Sequence, residues 1–478
     1  MMKRQKPFFL LFLSVSLLTG CQKEPSASSA SLPQGSEDKT SENTSSPSVT
    51  KKEDLVAEHF SFDYYHESEQ LNCAAGLALI HLSCNSLFSS LSLKWGDDNA
   101  PFEDYDSLYE TDKLSADEYE YDFKDHALIP SNATKLWLLG YGKDGEILEK
   151  ATKDRSEYKK QEKLLYEFQV ISDEQISTKN PCFYRRSKKA FADIKENCPD
   201  TSLIAVNGDI VDEAKAENYD SFFDSYYESY SEEDRKKLAL GLGNHEFIRQ
   251  SENGYYQGRS EKELEKKYQD RLSLWETKTG NENPYFSMDL NGSTCLFLGT
   301  TKIPNLLGGN TRADCTLGEK QLSWRREKVT EADKRGKPIY IFSHGSLRDT
   351  VSGSLSKLNQ TWYGYSEKEE KEIRDILSLS KNILFFSSHS HWCFESEQPY
   401  LVQDNVSFFN TAAVGYLWEG NGQGHSYKNL DYEHGGGQGL YLSVYENQIF
   451  VKGRQFEASD AQGKYWFSNY QTVIDLEK

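Results

Sequence analysis

The chain has 478 residues and carries 55 Lys and Arg against 75 Asp and Glu, a formal net charge of −20. With that balance and no basic stripe interleaved with aromatics, it would repel a nucleic-acid polymer rather than capture one. The length exceeds a usual single domain and predicts two folded parts.

The first segment reads as an address. Lys3, Arg4 and Lys6 form a positive region, and Phe8 to Leu18 form an apolar core too short for a stable membrane span. The run Leu17-Leu18-Thr19-Gly20-Cys21 follows. This arrangement resembles a bacterial lipoprotein signal. The resemblance implies a signal peptide over residues 1–20, lipidation of Cys21, and an exported protein held at the cell surface by a lipid anchor in the membrane. An ordinary secretory signal with an incidental cysteine is the plainer alternative. Residues 21–54 are Ser, Pro, Glu, Lys and Thr with almost nothing apolar, which predicts a disordered tether.

Residues 55–162 read as all-β. Apolar runs at Gly76 to Leu82, Leu91 to Trp95 and Lys135 to Tyr141 alternate with turn segments such as Gly96-Asp97-Asp98-Asn99 and Gly142-Lys143-Asp144-Gly145. A small β-sandwich is expected, similar to fibronectin-type-III-like modules. His59, His66, His81 and His126 lie here without metal-ligand spacing.

Residues 163–478 alternate strand-like and helix-like runs. Strands are predicted at Phe168 to Ser172, Leu203 to Asn207, Leu238 to Leu242, Thr294 to Gly299, Ile339 to Ser343 and Ile383 to Ser387. Helices are predicted at Arg185 to Asn197, Tyr219 to Tyr230 and Leu317 to Thr330, with a closing hairpin at Gly439 to Tyr445 and Ile449 to Phe456. The fold class is α/β: two packed sheets flanked by helices, preceded by the small all-β sandwich.

Apart from Cys21, seven cysteines remain. Sequence neighbours give the pairs 73–84, 182–198 and 295–315 and leave Cys393 over, although several could equally be small buried hydrophobes. A zinc site of paired cysteines is not expected, because no CxxC spacing occurs.

Five short segments carry the chemistry, each after a strand-like run: Ser172-Asp173-Glu174-Gln175, Gly208-Asp209-Ile210-Val211-Asp212, Gly243-Asn244-His245-Glu246, Ser343-His344-Gly345 and Ser388-His389-Ser390-His391. Open α/β sheets collect such groups at strand ends. Asp and Asn offer hard oxygens and His a borderline nitrogen, a mixture that suits Mn, Fe or Zn better than Ca. There are more candidate ligands than one ion needs. Two ions about 3.5–4 Å apart, bridged by a carboxylate, would use them all, lower the pKa of a water and neutralise a phosphoryl group.

Taken in this order, the segments resemble the calcineurin-like metallophosphoesterase family, whose pattern is D-x-H, G-D-x-x-D, G-N-H-[ED], H and G-H-x-H. The likeness runs from about Leu164 to Phe456 and includes Leu317 to Trp324 before the fourth segment. It implies a two-metal phosphoric ester hydrolase acting on a small phosphate mono- or diester through a metal-bound hydroxide. By motif position, Asp173 and His391 would bind the first of two divalent ions (Mn, Fe or Zn). Asp209 would bridge both, and Asn244, His344 and His389 would bind the second. His245 would contact the phosphate and protonate the leaving oxygen, with Asp212 fixing its tautomer. Glu246 is expected to be structural.

Two positions depart from the family pattern. Gln175 stands where histidine is usual, and its carbonyl is a weaker metal ligand. Ser388 stands where glycine opens the last segment, which removes no imidazole.

Each feature also has a plainer reading. A lone histidine such as His344 is more often a satisfied core residue, Asp209 a turn residue and Asn244 a helix cap. Five coincidences after strands in one order outweigh those readings. Arg185 and Arg186 could neutralise phosphate, but on a helix they are more often solvated. The glycine-rich stretch from Gly420 to Gly439, with His425, Tyr427, Asp431, Tyr432 and His434, could cover a site or merely lead to the last hairpin. Tyr226-Tyr227, Tyr255-Tyr256 and Trp362-Tyr363 are expected to serve packing. The rival function is a surface lipoprotein that binds a phosphorylated ligand without turning it over. An adhesin resting on the β-sandwich has no motif behind it.

Overall fold

A computed structural model describes residues 55–66, 77–102, 107–110, 114, 118–122, 133–157, 159–160, 164–247, 259–303, 315–358, 360, 364–403, 406–420, 425–428, 437–456 and 466–476. The leader, the tether and Cys21 lie outside the described residues, as do Cys73, His126, Tyr255, Tyr256, Trp362, Tyr363, Asp431, Tyr432 and His434. Residues 55–478 form one compact unit.

Among the described residues, the first part is built of strands apart from one short helical turn. They are β1 (Phe60–His66), β2 (Leu77–Leu82), β3 (Ser90–Gly96), β4 (Ser107–Glu110), β5 (Glu118–Asp122), β6 (Lys135–Tyr141), β7 (Ile147–Asp154) and β8 (Lys159–Lys160). Two four-stranded sheets result, in the orders β5-β2-β1-β8 and β4-β3-β6-β7. Alternating residues supply one shared core: Phe60, Phe62 and Tyr64 from β1, Leu91, Leu93 and Trp95 from β3, and Leu136 and Leu138 from β6.

The second part holds the strands β9 (Tyr166–Ile171), β10 (Leu203–Val206), β11 (Leu238–Leu240), β12 (Phe286–Leu290), β13 (Ser293–Leu298), β14 (Ile339–Ser343), β15 (Ile383–Ser387), β16 (Tyr400–Gln403) and β17 (Val406–Asn410). A small hairpin of β18 (Leu417–Gly420) and β19 (His425–Lys428) follows, then β20 (Gln438–Val444), β21 (Gln448–Gln455) and β22 (Trp466–Asp475). The helices are α1 (Pro181–Asn197), α2 (Ala216–Tyr227), α3 (Glu261–Thr279), α4 (Gly318–Asp333) and α5 (Glu367–Leu377).

These strands form two six-stranded sheets, β11-β10-β9-β20-β21-β22 and β12-β13-β14-β15-β17-β16. Strands such as β10, β13, β14 and β15 are buried along their whole length, so successive residues serve different layers. Phe168, Val170, Phe297, Phe342 and Phe386 meet between the sheets. Ile171, Ile204 and Val206 face outward beneath Phe191 of α1 and Phe222 of α2. Leu296, Ile341 and Phe385 face outward beneath α4 and α5. The result is a mixed α/β sandwich of two sheets between helices, preceded by an antiparallel all-β part, the fold class expected from the sequence.

The helix starts follow from local signals. Asn180 caps α1 by accepting from the Cys182 amide at 3.3 Å, with Pro181 in the first turn. Ser260 and Glu263 form a reciprocal capping box at α3, which ends at the left-handed Gly280.

Two cysteine pairings do not occur. Cys182 and Cys198 are not joined, and neither are Cys295 and Cys315. Cys182 and Cys198 stand at opposite ends of α1, about 24 Å apart by helical rise, far beyond disulfide reach. Cys295 points into the core between the sheets, whereas Cys315 belongs to the cluster on the opposite face. The Cys198 thiol instead donates to Glu167 Oε2 at 3.2 Å.

Candidate metal centre

The parallel strands β9, β10 and β11 of one sheet and β14 and β15 of the other end on the same side of the sandwich. The five segments begin there. Asp173 and Gln175 follow β9, Asp209 follows β10, and Asn244 and His245 follow β11. His344 follows β14, while His389 and His391 follow β15.

Tight backbone turns aim these side chains inward. Asp173, Gln175, Asp209, His389 and His391 all have positive φ, between 47° and 67°. Left-handed backbone at a non-glycine residue is uncommon and costs on the order of 1–2 kcal/mol, and it gathers where function demands a fixed geometry. Glycine is required beside them. At Gly208, φ is 89° and a β-carbon would lie 2.7 Å from His344 Nδ1. At Gly243 a β-carbon would overlap the Asp209 carboxylate.

Two groups of potential ligand atoms converge, each within 4.8 Å: Asp209, His344 and His389, and Asp173, Asp209 and His391. Asp209 belongs to both. Asn244 joins the first group, with its Oδ1 3.0 Å from His344 Nε2. Gln175 joins the second, with its Nε2 3.3 Å from His391 Nε2 and 3.4 Å from Asp209 Oδ2. All seven sequence-predicted ligands are therefore brought together.

The hydrogen bonds behind the ligands show what the site lacks electrically. The His344 Nδ1–H donates to the Asn207 carbonyl at 2.9 Å, and the His391 Nδ1–H donates to the Tyr416 carbonyl at 3.0 Å. Neutral imidazoles held this way present a lone pair at Nε2. That lone pair faces Asp209 Oδ1 at 3.3 Å for His344 and Asp173 Oδ1 at 3.1 Å for His391. Asp173 Oδ1 is fully buried and receives no hydrogen bond, although Oδ2 accepts from the His389 amide at 3.2 Å. Acceptors facing acceptors in a buried pocket call for cations between them, so the donor set fits divalent metal ions.

Without an ion, protonation supplies the positive charge in its place. Burial opposes the imidazolium form of His344, yet the Asp209 carboxylate more than offsets it and raises the pKa to about 10. Burial likewise opposes ionisation of Asp209, but the surrounding histidines hold its carboxyl far below the usual range.

His245 and Asn244 are half-buried at the rim, while Asp209 and Asp173 are fully buried. The His245 Nδ1–H donates to the Asp212 main-chain carbonyl at 3.0 Å, and the Asp212 carboxylate stands further off at 3.6 Å. Asp212 thus fixes the ring chiefly through its backbone. Burial disfavours protonated His245, but Asp209 and then Asp212 raise its pKa to about 9.

Glu246 has the structural place expected of it. Its buried carboxylate accepts from the amides of Gly243 at 2.8 Å, Ile210 at 2.9 Å, Asp209 at 3.2 Å and Val211 at 3.5 Å, fastening the second segment to the third. Burial and then the Asp209 charge push its pKa up to about 7.

Other supporting residues carry no motif. The Asn207 side chain donates to the Ser343 and Phe386 carbonyls at 3.0 and 3.2 Å, joining the two sheets below the ligands. Residues 414–418 lie along the first and last segments. Val414, Gly415 and Trp418 amides donate to the Ser172, Asp173 and His391 carbonyls at 2.9, 2.8 and 2.8 Å. The Tyr416 ring stacks on His391 at 4.1 Å. Arg186 corrects the expectation of a solvated helix residue: it is buried and donates to the Gly415 carbonyl. Arg185 is exposed, as expected. Part of the glycine-rich stretch forms the β18–β19 hairpin, where Trp418 pairs with Tyr427.

With this geometry established, comparison with known proteins is informative. The calcineurin-like phosphoesterase family profile matches residues 168–393. No curated protein gives a significant match. Two solved structures align over 66% of this chain and 100% of their own. A dimetal phosphatase from Danio rerio aligns at 12% identity and a TM-score of 0.42, and Vacuolar Protein Sorting 29 from Cryptosporidium parvum at 7% and 0.29. Neither likeness is close enough to add to the reading of the site. Over residues 168–393, which hold every candidate ligand, the chain is similar to the calcineurin-like phosphoesterase family.

Proposed function

We propose that the protein is a two-metal phosphoesterase that hydrolyses a small phosphate mono- or diester. The observation that carries this reading is the pair of ligand groups sharing Asp209, with His245 on the rim beside them. Divalent ions of the Mn, Fe or Zn class, when bound, supply Lewis acidity that lowers the pKa of water and neutralises phosphoryl charge. The chain's own residues do the rest. Asp209, which belongs to both ligand groups, would hold both ions. The Asp212 carbonyl orients His245 by accepting from its Nδ1–H, which leaves Nε2 on the side of the ligand groups, where its proton can be given to a leaving oxygen.

Hydrolysis of a chromogenic phosphodiester and a phosphomonoester is to be measured after chelation and again after addition of Mn²⁺, Fe²⁺ or Zn²⁺. Metal-restored turnover is expected. Metal uptake with no turnover of either ester would instead favour a phosphate-binding lipoprotein. The Gln175 amide beside His391 is the observation that keeps that second reading open.

The leader and Cys21 carry the further proposal of surface attachment. Incorporation of a labelled fatty acid, lost in Cys21→Ala, tests it. Equal labelling of both proteins would overturn it. Among the described residues, no helix is long and apolar enough to cross a membrane.

A further inference from the structure

We propose that the Ser388 hydroxyl is a positioning group for His344. By sharing the Asn207 carbonyl with the ring, it holds an imidazole of one sheet against a strand end of the other. This inference deepens the two-metal reading above and rests on it, since it takes His344 as a ligand.

Strands of both sheets meet at Asn207. Its main-chain amide donates to the carbonyl of Ile171, the last residue of β9, at 2.8 Å. Its side chain donates to the carbonyls of Ser343 at the end of β14 and Phe386 in β15. Its own carbonyl accepts the His344 Nδ1–H at 2.9 Å and the Ser388 hydroxyl at 2.7 Å. The Ser388 oxygen also lies 3.0 Å from His344 Nδ1. A hydroxyl carries one proton and two lone pairs, so one that donates to the Asn207 carbonyl keeps a lone pair for the Nδ1–H. That ring proton is then shared between two oxygens. Moving it to Nε2 would set a ring lone pair against the Asn207 carbonyl, so the hydroxyl reinforces the tautomer that leaves Nε2 for an ion.

Placement gives this contact its reach. Asn207 leads into Asp209 from the first sheet, whereas Ser388 leads into His389 from the second. Asp209, His344 and His389 make up the first ligand group. The Ser388 amide donates to the His344 carbonyl at 3.2 Å, so backbone and side chain together tie both histidine segments to the segment of Asp209. The glycine usual at this position in the family pattern could supply the amide but not the hydroxyl. Ser388 is 1% exposed, and a buried hydrogen bond of this kind leaves its partner short when it is removed. Outer contacts to a ligating imidazole change metal affinity by about 10–100-fold.

Calorimetric titration of the chelator-stripped full chain with Zn²⁺ and with Mn²⁺ compares the natural protein with Ser388→Ala, Ser388→Gly and Ser390→Ala. Both substitutions at position 388 should weaken metal affinity by at least about tenfold. Ser390→Ala removes a buried hydroxyl from the same segment, where it packs against Gly353, and should keep the natural affinity. Natural affinity in either Ser388 variant, or an equal loss in Ser390→Ala, would overturn the proposal. A second measurement needs no ion. In stripped protein labelled with ¹⁵N-histidine, the His344 Nδ1 proton signal, assigned by its loss in His344→Gln, should shift in Ser388→Ala and stay in place in Ser390→Ala. An unmoved signal in Ser388→Ala would overturn the proposal even where metal binding had weakened. A natural chain that binds no ion would sink the two-metal reading and this inference together. Unchanged affinity in Ser388→Ala beside metal-restored ester hydrolysis in the natural protein would sink this inference alone.

Discussion

The main-chain amide of His245 donates to Asp209 Oδ1 at 2.8 Å, tying the candidate proton donor to the shared ligand through the backbone. Any substitution at position 245 except proline keeps that amide, so the ring can be removed without taking this donor from the carboxylate. The roles of ligand and proton donor can therefore be separated by mutation.

Removing a ligand should abolish both binding and turnover. Asp209→Ala takes a donor from each group, and His389→Ala takes one from the first group. Hydrolysis is expected to fall by more than about a hundredfold, since even outer contacts around metals carry 10–100-fold effects. Metal content by elemental measurement should fall with it while far-ultraviolet circular dichroism stays unchanged. Normal turnover in either variant would refute the assignment.

His245→Ala should behave differently. A positioned general acid contributes about 10²–10⁴-fold, so turnover drops in that range while metal content stays at the natural level. Asp212→Ala should lose far less, within about tenfold, because the closer contact to His245 Nδ1 is the main-chain carbonyl that alanine retains. Equal losses in the two variants would show that the Asp212 carboxylate, not its backbone, governs the ring.

Stabilisation by metal should grow with pH. In chelator-stripped protein, His344 and His245 have pKa values raised to about 10 and about 9. Groups raised in the folded state contribute stability that is complete below the unfolded value near 6.5 and is lost as pH climbs toward 9–10. An ion replaces that proton at His344, and its binding tightens as protons leave. The rise in melting temperature on adding Mn²⁺ should therefore be larger at pH 8.5 than at pH 6.5. A gap that is constant across this interval would contradict the assignment of His344 as a ligand.

Glu246→Ala should damage folding before chemistry. Four buried amides lose their acceptor at once, including those of Gly243 at 2.8 Å and Ile210 at 2.9 Å. Breaking a buried charged network of this kind costs about 3–5 kcal/mol. Glu246→Gln, which keeps one oxygen, should cost less. Urea unfolding measures both, and an alanine variant within about 1 kcal/mol of the natural protein would remove Glu246 from its structural role.

The legible parts of the sequence are those in which side-chain identity does the work. The strands β14 and β15 run residue for residue as predicted, since Ile339 to Ser343 and Ile383 to Ser387 are apolar on both faces and stop at a histidine segment. All seven metal-ligand candidates converge because their chemistry is written in short local motifs. Sequence reading leaves out α3 because its Glu and Lys content hides the recurrence of Leu264, Tyr268, Leu272 and Trp275. It also leaves out α5, where Ile373, Ile376 and Leu377 are a short signal in a charged run. The support from residues 414–418 is silent for a different reason. Gly415 acts there through its amide, and Tyr416 through a carbonyl that every residue type supplies.

The ligands Asp173, Asp209 and Asn244 come from one sheet, and His344, His389 and His391 from its partner, with each group drawing on both. A bound cation is consequently a rivet through the two layers. Protease resistance and amide exchange at this end of the sandwich should then follow the free metal level of the surroundings, which makes the domain's mechanical cohesion a readout of its ionic environment.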